Sequence, residues 1–254
     1  MFVACSTLCF ARQPLEQALR TIAELEFSKV EVAIATGGPH LKPAEILADV
    51  ELAAQSIRVG PSLTPAAFDV RIAEPDPNVF QQQFEAVCKL AAQCAVTTMT
   101  IPAAPTGTPL EAEARRLAHL VRIATLHGVV LCVATRMGTV TELPEQAVAL
   151  CQAVPGLGLT LDPSHFLCGP HQGRPFDEVY PYVRHVHLRD TGRTPEKLQV
   201  KIGQGEIEYS RIIAMLSRYD YDRLLTVSIL DIPELPFRME TEVRKLKYLL
   251  ESLV

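Results

Sequence analysis

Eight short β-rich runs alternate with helix-patterned segments along the chain, and this alternation limits the available folds more than any other feature. The runs are Phe2 to Ser6, Lys29 to Ile34, Ile57 to Ser62, Thr97 to Pro102, Val129 to Ala134, Leu157 to Asp162, Val183 to Leu188 and Leu224 to Ile229. Their starts lie roughly 25 to 40 residues apart, room for a strand, a loop and a crossover helix of a parallel sheet. Eight parallel strands close into a barrel whose interior is just filled by side chains. The 254 residues match one complete (β/α)8, or TIM, barrel of about 250. The expectation is a single α/β domain over 1–254. An open doubly wound sheet is the alternative, but it rarely supplies eight evenly spaced strands.

The segments between the runs carry helix signals. After Pro14, the residues Leu15, Ala18, Leu19, Ile22 and Leu25 form one apolar stripe at helical spacing. Asp76-Pro77 and Thr108-Pro109 each place a capping residue before a first-turn proline. His127-Gly128 marks a helix stop before the fifth run. A last helix is expected from Arg238 to Leu253, with Val243, Leu246, Leu250 and Leu253 on one side. Such helices would cover the outside of the barrel.

Composition excludes several classes. A hydrophobic share of 48% supplies a large core, while the net charge of -5 and scattered Lys and Arg argue against a nucleic-acid face. No apolar run reaches the ~18 residues of a membrane span, and the N-terminus lacks the pattern of a signal peptide. A cytoplasmic protein is expected. None of the seven cysteines pairs at C-x-x-C spacing, so buried reduced thiols are expected. Cys132, on a strand feeding the mouth, is the one candidate for reactivity.

In such barrels the loops after the strands build the site, so candidates belong at the right-hand end of each run. The sixth run ends in Asp162-Pro163-Ser164-His165, where a carboxylate and an imidazole can meet. In the seventh, Val183-Arg184-His185-Val186-His187-Leu188-Arg189-Asp190, strand parity puts His185 and His187 on one face, with His187 nearer the mouth. His185 reads more simply as a core-layer histidine, and Asp162 with His165 has a purely structural reading as a hydrogen-bonded pair. His40 and His171 read as solvated loop residues. Gly203-Gln204-Gly205 reads as a plain turn, with phosphate binding through backbone N–H groups as the other option.

These stretches resemble the xylose-isomerase-like family of sugar-phosphate isomerases and epimerases. The segment Gly158 to His165 is similar to its sixth-strand motif, His187-Leu188-Arg189-Asp190 to its seventh, and Gly203 to Ile207 to the approach to its last strand. Ser6-Thr7-Leu8 and Lys29 to Val32 fit its first two strands. The resemblance implies a divalent metal held by Glu, Asp, His and Glu from strands five to eight. The Asp carries over to Asp162 and the His to His187. His165 matches a supporting histidine, and Arg193 an arginine that contacts substrate hydroxyls. Arg136 and Asp190 are further substrate-binding candidates, Arg136 through the planar fork it offers an anion.

The two glutamates do not carry over, because their expected positions hold Ala134 and Ser228. At about 4 Å and an effective dielectric near 20, each unit-charge interaction amounts to roughly 4 kcal/mol. A quarter of that surviving desolvation, about 1 kcal/mol, would cost about fivefold in metal affinity per carboxylate. The expectation is a weak or absent divalent metal at a vestigial Asp162–His187 site, with the family's two-base proton transfer altered or lost. Glu31, Asp231 and Glu234 are the carboxylates that could restore it. The expected ligand is a small sugar, sugar phosphate or polyol. Two functions stay open: an isomerase, epimerase or dehydratase using Asp162, His165 and His187, and a non-catalytic sugar-binding pseudoenzyme. An apurinic endonuclease lacks support in the acidic charge, and a homodimer through the outer helices stays open.

Overall fold

Strand Lys29–Ala35 shows how the barrel is assembled from its sequence. Val30, Val32 and Ile34 alternate onto the outer, helix-facing side, which places Glu31 and Ala33 inward. The computed structural model describes residues 1–58, 63–233 and 236–254. Its strands are β1 Phe2–Ser6, β2 Lys29–Ala35, β3 Thr64–Arg71, β4 Thr98–Ile101, β5 Val130–Ala134, β6 Gly158–Leu161, β7 Val183–Leu188 and β8 Leu224–Val227. They pair in parallel and in chain order, and β8 pairs with β1 from Phe2↔Leu224 to Cys5↔Val227, which closes the barrel. The (β/α)8 expectation holds.

The helices among the described residues are α1 Leu15–Glu24, α2 Pro43–Ala48, α3 Val50–Ser56, α4 Pro77–Gln93, α5 Leu110–Leu126, α6 Pro144–Ala153, α7 Pro163–Cys168, α8 Tyr209–Arg218 and α9 Met239–Glu251. Asp76 caps α4 by accepting from the N–H groups of Asn78 and Val79, as its sequence predicts. The Thr108 cap does not form: α5 starts one residue later with Pro109 at its N-cap and no side-chain bond. Gly128, with φ of 72°, reverses the chain after α5. None of these helices is long and apolar enough to cross a membrane.

The third strand departs from expectation. Ile57 ends α3 and is buried there, while 59–62 lie outside the described residues. The strand is instead Thr-Pro-Ala-Ala-Phe-Asp-Val-Arg, Thr64–Arg71. Alanines and a proline make this a weak strand by local preference. Seven register pairs with β2, from Lys29↔Thr64 to Ala35↔Arg71, hold it extended. Asp69 and Arg71 thereby reach the mouth.

The apolar core lies mainly between barrel and helices, where Phe10, Phe68, Phe84 and Phe166 are fully buried. Inside the barrel the layers change character. Ala4, Ala67 and Leu224 form a small apolar floor. Above it sit buried polar groups: Ser6, Glu31, Thr100, Thr160, His185 and Thr226. Buried polar groups need partners, and Thr100 and Thr160 find each other at 2.7 Å. A barrel interior of this polarity costs stability, and its placement under the strand ends marks the functional face.

Candidate functional site

Asp162 directly follows β6 and opens α7, so its carboxylate is placed by both elements. Its backbone N–H donates to Thr135 Oγ1 at 2.9 Å. One carboxylate oxygen, Oδ1, caps α7 through the Ser164 N–H at 3.1 Å and also accepts from the Ser164 hydroxyl. The other, Oδ2, accepts from Arg189 Nη2 at 2.5 Å, and both side chains are only 5% exposed. Burial alone would raise the Asp162 pKa; the Arg189 charge, with smaller help from His165 and Ser164, holds it below the usual carboxylate range. A guanidinium therefore sits where the family resemblance implies a cation on Asp162.

His165 stands one helical turn on. Its Nδ1 accepts from the Met137 N–H at 3.4 Å, and its Nε2 lies 3.7 Å from Asp162 Oδ2. Burial, against the pull of Asp162, pushes its pKa down to about 4. His165 is thus neutral at pH 7.

Beneath the mouth lies a column that local sequence patterns do not connect. Glu31 Oε2 accepts from His185 Nε2 at 2.7 Å and from His187 Nε2 at 2.8 Å. His185 is fully buried and also meets Thr226 Oγ1 at 3.3 Å. Burial works against the Glu31 charge, yet the His187 charge and both histidine hydrogen bonds hold its carboxyl well below the usual range. The same carboxylate raises the pKa of His187 against burial, whereas at His185 burial wins and lowers it. Glu31, the His nitrogens and no other group of three such residues bring potential metal-ligand atoms within 4.8 Å of one another among the described residues. Glu31 Oε1 and His185 Nδ1 are buried there without a hydrogen-bond partner.

Above this column, at the C-terminal mouth of the barrel, lies a cleft of about 510 Å³ that is open to solvent. Asp162, His165, His187 and Arg136 all line it, so four of the residues singled out in the sequence come together. Ala134 and Ser228 line it as well. Three charged lining residues are absent from the sequence-based candidates: Asp69 and Arg71 from β3, and Arg189 from the end of β7. Asp69 and Arg71 pair at 3.1 Å and also border an adjoining hollow of about 940 Å³ near Gly37 and His40.

Two site candidates do not join the cleft lining. Arg193 is 66% exposed, pairs with Glu206 at 2.6 Å and borders a separate cavity. Asp190 turns its carboxylate into the following loop, accepting from the N–H groups of Thr191, Gly203 and Gly205. Those N–H groups are consumed, so the Gly203-Gln204-Gly205 loop is a seat for Asp190 and not a phosphate cradle. A Cβ on Gly205 would lie 2.0 Å from Asp190 Oδ1, which explains the glycine.

Of the carboxylates proposed as replacements, Glu31 reaches His187. Asp231 instead pairs with Arg12 at 2.6 Å, and Glu234 lies outside the described residues. His40 and His171, expected to be solvated, are buried. His40 bonds Thr7 Oγ1 and the Gln13 carbonyl, and His171 bonds the carbonyls of Arg174 and Pro175. Cys132 is buried with its pKa pushed up to about 12, so it remains a thiol.

Comparison with known proteins places this geometry in context. The family model described as "Xylose isomerase-like TIM barrel" matches residues 19–249. No curated protein matches the sequence. Among solved structures, the IolI protein with a bound zinc atom superposes with a TM-score of 0.76 at 18% identity, covering 100% of this chain and 98% of that one. A xylose isomerase domain protein from Alicyclobacillus acidocaldarius gives 0.78 at 16% identity, covering 100% and 98%. D-allulose 3-epimerase from Methylomonas sp. gives 0.75 at 14% identity, with the same coverage. At these identities the likeness establishes the fold.

Proposed function

We propose, starting from the fact that this chain belongs to the xylose isomerase-like TIM barrel family, that its mouth binds a small sugar, sugar phosphate or polyol. The single observation that carries the proposal is the cleft itself. It gathers Asp162, His165 and His187 where strand ends build active sites, yet a buried guanidinium occupies the face of Asp162. The family's proton-transfer chemistry is accordingly altered. On the family resemblance Ala134 and Ser228 take the positions of two glutamates; both line the cleft, and neither offers a carboxylate to a metal or a base to a sugar carbon.

The donor sets bear differently on a metal. Asp162 and His187 do not fit one ion, since Asp162 is held by Ser164 and Arg189 and His187 by Glu31. Glu31, His185 and His187 fit a zinc-type ion by donor chemistry, being one carboxylate and two imidazoles. An ion held there would supply positive charge beneath the mouth. Its three donor atoms stand at hydrogen-bond contact, 2.7 and 2.8 Å. Tetrahedral ligands at about 2.0–2.1 Å from zinc require wider spacing, so the cluster must open to admit one. Metal binding is weak or absent on this reading.

The chain's own residues then do the work. His187 is the acid–base candidate: its Nε2–H donates to Glu31, which fixes the tautomer and stabilises the protonated ring. Its Nδ1 is left for a ligand. His165, neutral with Nδ1 occupied by the Met137 N–H, has Nε2–H to offer a substrate oxygen. Asp162 holds Arg189 and His165 in place. Arg136 contributes a cation at the mouth. The second reading, a sugar-binding pseudoenzyme, draws on Ala134 and Ser228, which leave His187 without an opposing base.

Titration calorimetry with ketoses and sugar phosphates, before and after dialysis against a chelator, tests the proposal. The expected result is substoichiometric metal by elemental analysis, with the same ligand bound in both states and weakened by Asp162→Asn. Stoichiometric metal whose removal abolishes binding would refute it. Solvent deuterium incorporation into the bound sugar separates the enzyme from the pseudoenzyme.

A further inference from the structure

The charges around the cleft are uneven. Arg71, Arg136 and Arg189 face it against Asp69 and Asp162, although the chain as a whole carries a net charge of -5. Two of the arginines have carboxylate partners, Arg71 on Asp69 and Arg189 on Asp162. Arg136 has neither an ion pair nor a side-chain hydrogen bond among the described residues. It is nonetheless held in position. Thr139 Oγ1 donates to the Arg136 carbonyl at 2.7 Å and Thr141 Oγ1 to the Ala134 carbonyl at 2.6 Å, which pins the backbone on both sides of the loop.

Arg189 supplies a second, independent sign. Its side chain is 5% exposed, one Nη2–H is spent on Asp162, and its Nε–H is buried with no partner. A buried guanidinium donor left unsatisfied is costly and calls for an acceptor. The cleft that Arg189 lines is the place where a ligand could bring one.

We infer that the mouth of this barrel selects ligands carrying a negatively charged oxygen group, a carboxylate or a phosphate, held by Arg136 and Arg189 without a metal ion. The inference rests on the sugar-binding reading above and adds the class of ligand. Planar guanidinium forks match both groups geometrically. Asp162 has two tasks in this arrangement: it fixes the Arg189 plane and keeps the pair neutral until the ligand arrives. Burial and the charges of Arg71 and Arg189 push the Arg136 pKa downward, the crowding that a bound anion relieves.

Matched probes test this on chelator-dialysed protein by calorimetry: D-fructose against D-fructose 6-phosphate, D-glucose against D-glucuronate, and inorganic phosphate alone. The charged member of at least one pair is expected to bind about tenfold tighter or more, with affinity falling as salt rises. Arg136→Gln should remove that advantage while leaving the melting temperature in place. Arg136→Lys should recover part of it, because charge returns without the fork. Arg193→Gln, in the separate cavity, should change nothing.

Equal affinity for charged and neutral partners overturns the inference while the sugar-binding reading stands. Phosphate binding that depends on Arg136, with no sugar bound, supports the inference and sinks the sugar reading. Binding that requires a metal, an Arg136→Gln variant with full anion affinity, or no binding by any probe overturns it.

Discussion

Replacing Arg189 by methionine strips a buried carboxylate of its cation, and the structure fixes how large the effect should be. Both side chains of the Arg189–Asp162 pair are 5% exposed and their closest atoms are 2.5 Å apart. At an effective dielectric near 20, unit charges about 4 Å apart attract by roughly 4 kcal/mol. Breaking a buried pair from one side typically costs about 3–5 kcal/mol, since the remaining charge stays desolvated. Ser164 continues to donate twice to Asp162, which puts the Arg189→Met loss near the lower end, about 3 kcal/mol. For a chain of this size that corresponds to about 6 °C in melting temperature. Asp162→Asn leaves the guanidinium buried instead and should lose a similar amount. The double variant removes both charges and should recover about 2 kcal/mol relative to the sum of the singles. Urea denaturation of the four proteins closes the cycle. Manganese or zinc should raise the melting temperature of Arg189→Met by binding the exposed carboxylate, and leave the parent protein unchanged. Additive single effects, or an Arg189→Met loss under about 1 kcal/mol, would show that the guanidinium is not the counter-charge of Asp162.

Three further outcomes are expected. Glu31→Gln replaces the carboxylate shared by His185 and His187; losing charge-assisted bonds should cost about 2 kcal/mol, and unchanged urea stability would contradict the column. His165, with a folded pKa of about 4 against about 6.5 unfolded, binds its proton more readily in the unfolded chain. Its contribution is therefore complete above pH 6.5 and is lost as pH falls toward 4, by up to about 3 kcal/mol; His165→Gln should flatten that limb of the melting-temperature profile. Gly205→Ala drives a Cβ into the Asp190 carboxylate and should lower stability by about 2 kcal/mol, readable by calorimetric melting, while Gly107→Ala, with open space but a φ of 91°, should lose only about 1 kcal/mol.

Several parts of the site are legible in the sequence. Asp162 and His165 share one turn, and the capping chemistry of Asp162-Pro163-Ser164 is local. The parity of His185 and His187 followed from strand geometry alone. Glu31 carried a signal that was underused: a carboxylate at an inward position of a strand whose other face is Val30, Val32 and Ile34 cannot remain unpartnered. Asp69 and Arg71 were missed for a different reason. The β-branched Ile57 and Val59 drew the third strand ahead of its true place, and the alanine-rich Thr64–Arg71 is a strand because of β2 beside it. Arg189 sits within the His187-Leu188-Arg189-Asp190 stretch, and nothing local signals that its side chain turns back onto Asp162.

What the chain determined by itself is everything carried by short-range periodicity: seven of the eight strands, their outward apolar faces, the cap of α4 and α5's stop at Gly128, and a strand count that suits a closed barrel. Partner choice among inward polar residues belonged to the tertiary structure. Glu31 and His185 are 154 residues apart, Asp162 and Arg189 27 apart, and only the curvature of the closed sheet decides which strands face each other across the interior. Burial then sets the charges, because a carboxylate deprived of water takes the nearest cation. In this barrel that cation is supplied by the chain.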